Sequence, residues 1–206
     1  GMTSVDVYYD ERARAMREAA QRLQRHLRDG SGAERIRSLA LDAVYIPLRE
    51  HRSAETLLGM ATIFNGVFRT QWLMTLAKEE GLARPAEALD LLVARRCLHL
   101  GDGAASAWMS YELRLYVQKR QLVEVQQRRN QYIARIALDN AQPLASAQFL
   151  LGAGAPQQAA SVLLDLDDDE RAESSTEVIQ IARAIQQNDL TPRQWRELNV
   201  MLSELH

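Results

Sequence analysis

Between Ala104 and Asn140 the chain holds neither glycine nor proline. Its apolar residues recur there at three- and four-residue steps: Ala104, Trp108, Tyr111, Leu115, Leu122, Val125, Tyr132 and Ile136. That spacing lines one face of an α-helix. It predicts a single long helix over about 104–140. At 1.5 Å per residue such a helix reaches roughly 50 Å, longer than a small domain is wide. It would act as a strut or an assembly surface. A chain built around it has few alternatives to an antiparallel helical bundle or an irregular array of helical hairpins.

The preceding segments read the same way. A helix is expected over about 6–28, with Met16, Ala20, Leu23 and Leu27 on one stripe and Asp29-Gly30-Ser31-Gly32 ending it. A second follows over 33–45 and is interrupted at Pro47. Ser53 is the expected N-cap of a third, ending near Glu80. Its apolar residues cover more than one face, so it is expected to be central and buried. Gly59 and Gly66 inside it suggest a close helix contact. Gly81 ends it, and Pro85 opens a fourth helix that reaches about Leu100. Gly101-Asp102-Gly103 then turns into the long helix. No segment alternates as a strand should. The expected fold class is all-α.

The texture changes at Gln142-Pro143. Short helices are expected at 144–151, 156–166, 175–187 and 192–205, the last capped by Thr191-Pro192. Asp165-Leu166-Asp167-Asp168-Asp169-Glu170 reads as a solvated acidic connector. The division expected is therefore a bundle over 1–140 and a helical-hairpin region over 141–206, packed together as one unit. Residues 165–206 hold ten acids and four arginines, a balance of −6 against +4 for the rest. Leu150-Leu151-Gly152, Ala159-Ala160 and Val162-Leu163-Leu164 resemble one helical hairpin of the tetratricopeptide type. The resemblance covers about one unit and implies a helical hairpin there; it departs from the repeat pattern in that Gly152 is expected in the turn instead of inside the first helix, and no neighbouring segment repeats the spacing.

Composition narrows the function. With 25 basic and 27 acidic residues the net charge is −2. A general nucleic-acid binder needs a concentrated basic face, so nucleic acid is not the expected partner. The single cysteine, Cys97, has no intramolecular disulfide partner, which suits a reducing compartment. No apolar run approaches the roughly 20 residues that span a bilayer. No basic segment precedes an apolar one near the start, so no secretory signal is expected. The expectation is a bacterial cytoplasmic protein.

Candidate chemistry is sparse. His26, His51, His99 and His206 lack the Glu-x-x-His or His-Glu-x-x-His spacing of metal-binding helices. Cys97 and His99 point about 200° apart on a helix and cannot share a metal. The acidic string lacks the sixth-place glycine and twelfth-place glutamate of a calcium loop. Cys97 beside Arg95 and Arg96 is either a packed thiol or, if the arginines lie near it, a reactive one. The paired glycines lack the frame of a phosphate cradle. No catalytic residue, metal or cofactor is expected.

What remains is interaction. The chain is expected to be a non-enzymatic helical module, an adaptor, chaperone or assembly subunit, that buries an apolar helix face against another protein or a second copy of itself. The residues expected to carry it are Trp108, Tyr111, Tyr116 and Arg120, taken as surface residues of the long helix. The alternative is a small-molecule-binding domain with an apolar pocket near Phe64, Phe68 and Trp72.

Overall fold

The computed structural model describes Glu18 and residues 33–205. Apart from Glu18, the helix expected over 6–28 lies outside the described residues. The chain divides into two compact units, residues 1–120 and 121–206. The fold is predominantly helical, with one small three-stranded sheet among the described residues.

In the first unit, helix α1 covers Ala33–Tyr45 and a 3-10 turn follows over Ile46–Glu50, opened by Pro47. Helix α2 covers Arg52–Ala61. Ser53 is its second residue and not its N-cap; His51 holds that place without a side-chain hydrogen bond. The third helix expected over 53–80 is thus two helices. Thr62 bends its hydroxyl back onto the Gly59 carbonyl (2.7 Å), and the Thr62, Ile63 and Phe64 amides tighten to three-residue bonds. Asn65-Gly66 then turns the chain, Gly66 taking a left-handed φ of +66° with open space around its missing Cβ. Gly66 is there for its backbone freedom and not for a helix contact. Strand β1 (Phe68–Arg69) and helix α3 (Thr70–Glu79) follow.

Helix α4 covers Pro85–Ala94, shorter than the span to Leu100 expected from the apolar pattern. Arg96 takes a left-handed φ of +56°, and the Cys97 amide reaches back to the Leu92 carbonyl (2.8 Å). That closes the helix and frees His99–Leu100 to form strand β2. Strand β3 covers Ser106–Trp108 and helix α5 Tyr111–Gln118. The sheet order is β1-β3-β2, antiparallel throughout, with Phe68 opposite Ala107, Arg69 opposite Ser106, and His99 opposite Trp108. The long helix expected over 104–140 does not form as one element. Its first part is strand, α5 is capped by the Ser110 hydroxyl accepting from the Leu113 amide (3.3 Å), and a turn at 119–122 separates α5 from the next helix. The core of this unit centres on Leu48, Leu57, Leu58, Met60, Phe64, Leu73, Leu76, Leu92 and Leu98.

The second unit is a run of helical hairpins: α6 (Val123–Asp139), α7 (Pro143–Gly152), α8 (Pro156–Leu164), the short α9 (Asp168–Glu173), α10 (Ser175–Arg183) and α11 (Pro192–Glu204). Its most extensive packing is α6 on α7, then α7 on α8. Gly152 is the last residue of α7 and not part of the turn. A Cβ there would sit 2.6 Å from Asn130 Oδ1, so its absence lets α6 and α7 approach closely. The acidic string is no mere connector. Asp167 caps α9, accepting from the Glu170 amide (2.7 Å), and Asp168, Asp169 and Glu170 occupy the first turn, where the helix dipole favours negative charge. Arg171 ties α9 back by donating to the Leu164 carbonyl (2.7 Å). Leu150, Leu163, Val178, Ile181, Leu198 and Met201 form this unit's core.

Candidate functional site

The residues expected to carry binding fall into three different environments. Trp108 lies at the end of β3 and not on a helix; it is 40% exposed. Tyr111 opens α5 and is 61% exposed, with the Arg114 guanidinium 5.4 Å from its ring centre. Tyr116 is buried on the inner side of α5. Arg120 follows α5 and is committed to its own unit.

Tyr116 and Arg120 belong to an internal network. The Tyr116 hydroxyl donates to Asp42 Oδ1, and the Arg120 guanidinium lies 3.5 Å over the Tyr116 ring while donating to the Tyr116 carbonyl (2.9 Å). That last bond fills one of the carbonyls a helix end leaves open, and it helps to stop α5 here. Tyr45 meets Tyr116 edge-on at 5.6 Å and donates to Glu55 Oε1 (2.7 Å). Both phenols are pushed up to about 12, first by burial and then by their hydrogen bonds to carboxylates, which favour the protonated form. The network joins α1, α2 and α5. It positions helices, and its rings are not offered to solvent.

Trp108 belongs to a surface that helical reasoning does not reach. Side chains alternate across a strand, so Phe68 and Ala107, opposite one another and buried, define the inner face. Arg69, opposite Ser106, is on the outer face. Continuing the register places Val67 opposite Trp108, and His99 opposes Trp108 from the other side. The outer face therefore carries an apolar row, Val67–Trp108–His99, beside a polar row led by Arg69 and Ser106. Val67 is 69% exposed. The His99 imidazole stacks on the Trp108 indole at 4.1 Å, with 17° between the planes. That stack restrains an exposed Trp and lowers the entropy it would lose on binding.

Phe64, Phe68 and Trp72, the expected pocket residues, are buried, and Phe64 and Phe68 stack on each other at 4.5 Å. A shallow cleft of about 280 Å³ lies instead in the second unit, between Gln142–Ala145 and Leu166, Glu170, Glu173, Ser174 and Glu177. Cys97 is buried, and burial pushes its thiol up to about 11 against the opposing pull of Arg95. It is a packed thiol. His51 lies 3.2 Å from Arg95, while His26 and His206 are outside the described residues. Among the described residues no group of three or more His, Cys, Asp or Glu is placed to hold a metal, and no helix is long and apolar enough to cross a membrane.

Comparison of the chain with protein-family models, with curated proteins and with solved structures returns no match.

The sequence signal for the outer sheet face was slight. Asn65-Gly66 is a turn signal inside an apparent helix, and Gly101-Asp102-Gly103 is another. Strands of two or three residues are too short for alternation to register.

Proposed function

We propose that this chain is a helical protein-interaction module whose binding surface is the outer face of the β1-β3-β2 sheet together with the start of α5. The observation that carries the reading is the row Val67–Trp108–His99, with Tyr111 three residues beyond. Three of these four are large apolar or aromatic residues left well exposed. Tryptophan and tyrosine are the residue types that most often dominate protein interfaces, because they bury much area at little entropic cost. Tyr116 and Arg120 support the surface from within by anchoring α5.

A photo-crosslinking residue installed at Val67, and separately at the exposed Val200 of α11, tests this in the native host. The Val67 probe is expected to trap a discrete partner that the Val200 probe does not. Trp108→Ala should abolish that product. A Val67 probe that traps nothing, or a product indifferent to Trp108→Ala, would sink the proposal.

A further inference from the structure

Continued through the strand ends, the register gives the outer sheet face two rows, Val67–Trp108–His99 and Arg69–Ser106–Gly101. Two ionisable side chains stand on them, His99 and Arg69. Arginine keeps its charge throughout, so His99 is the one that can change state near neutral pH. Its ring lies flat on the Trp108 indole, 4.1 Å between centres and 17° between planes. Among the described residues the imidazole makes no hydrogen bond, so taking up a proton breaks none. The charges around it come from several elements. Strand β3, its partner, carries none. Arg69 of β1 is on the far side of β3. Before β2 come Arg95, which lies against His51, and the exposed Arg96. Asp102 follows β2 in sequence, and α5 opens with the exposed Glu112 and the half-buried Arg114.

The two charge states of His99 make different surfaces. Neutral, the ring continues the apolar row from Val67 across Trp108. Protonated, it is a cation over an aromatic face, an arrangement that favours the charged form in the free chain. A partner seated on Trp108 takes that cation out of water, which is costly for an unpaired charge. We infer that His99 makes the outer face proton-sensitive: it docks a partner with the imidazole neutral and releases it with the imidazole charged. The complex then holds the proton less tightly than the free chain does. Docking is therefore complete where His99 is neutral and is lost as pH falls. This rests on the reading of that face as the docking surface and adds how docking is regulated.

Two readouts test it on the full chain. The first needs no partner, because an imidazolium in contact with an indole quenches its emission. Tryptophan emission followed from about pH 8 to about pH 5, the span over which imidazole takes up its proton, should fall. His99→Gln and Trp108→Phe should both lose that fall; circular dichroism checks that each variant is folded across the range. The second readout is the yield of the product trapped by the Val67 probe, in host lysate buffered over the same range. It should drop as the pH falls, by at most about tenfold per pH unit, the limit for one proton. His99→Gln, whatever its yield at the alkaline end, should show no such drop. Emission that does not respond, or responds equally in His99→Gln, overturns the inference and leaves the docking surface standing. A product yield that stays flat, rises as the pH falls, or drops alike in His99→Gln overturns it too. No Val67 product at any pH sinks the docking surface, and the inference with it even where the emission responds.

Discussion

The two units solve the same problem in different ways. Both must end helices whose apolar faces are buried, and in each unit two helices end with one motif. After α3, α4, α6 and α7 a residue with left-handed φ follows the cap, and the next amide returns to a carbonyl five residues back: Leu82 to Ala77, Cys97 to Leu92, Gln142 to Ala137 and Ala155 to Leu150. Glycine fills the left-handed position at 81 and 154, but Arg96 and Ala141 fill the others at a conformational cost. In the second unit these ends lead straight into Pro143 and Pro156, and the helices stack as hairpins. In the first unit the chain leaves its helices to build a sheet in which β2 and β3 pair locally while β1 pairs with β3 from about forty residues away in sequence. The hairpin unit follows from neighbours along the chain, and the sheet-bearing unit depends on distant pairing. The exposed aromatic face arises in the second kind of construction.

That comparison can be broken most decisively in the two cores. Phe64→Ala should cost about 3–5 kcal/mol, and Leu163→Ala about 2–5, through lost burial and the cavity left behind. If the units are separate cooperative structures, calorimetry will show each substitution lowering a different transition. A single transition that both lower equally would erase the distinction.

Close packing of α6 on α7 gives the next largest effect. Gly152→Ala gains helix propensity of about 1 kcal/mol but drives a methyl into Asn130, whose Nδ2 is held on the Gln126 carbonyl (2.9 Å). Overpacking of this kind costs about 1–3 kcal/mol. Urea titration should show a net loss in the second unit; a net gain would mean that the contact relaxes freely.

The tyrosine network sharpens the first unit. Tyr116→Phe removes the hydrogen bond to Asp42 and should cost about 1 kcal/mol. Tyr45 and Tyr116 also make stability fall at high pH. Their folded pKa is the higher one, near 12 against 10 unfolded, so the folded chain keeps protons that the unfolded chain has lost. The contribution is complete below about pH 10 and disappears as pH rises towards 12. Stability measured across that window should decline, and less steeply in Tyr116→Phe. An equal decline in both proteins would remove Tyr116 from the account.

The smallest effect is a gain. Ala141→Gly relieves a left-handed alanine at φ +54°, worth about 1–2 kcal/mol, against the greater entropy glycine loses, about 0.5–1. The midpoint of unfolding should rise slightly. A fall would show that the Ala141 methyl makes a contact worth more than its strain.

Periodicity, proline and glycine were enough to read the helical class, the hairpins after Pro143, and the ends of α1, α3 and α11. The signals are local: Gly81 in the left-handed position, Pro143 and Pro156 at first turns, and the Thr191 hydroxyl accepting from the Gln194 amide (3.2 Å). Tertiary structure decided the rest. Nothing local stops a helix at Ala94, because Arg96 bears no mark of the left-handed conformation it adopts. Nothing local makes Ser106–Trp108 a strand, because a helical pattern and a three-residue strand look alike until β1 and β2 supply hydrogen bonds on both sides. Tyr116 and Trp108 differ in exposure for the same reason. Both are expected from the sequence on the surface of one long helix, but pairing with β1 and β2 turns Trp108 to the outer sheet face, while Asp42 and Tyr45 draw Tyr116 in.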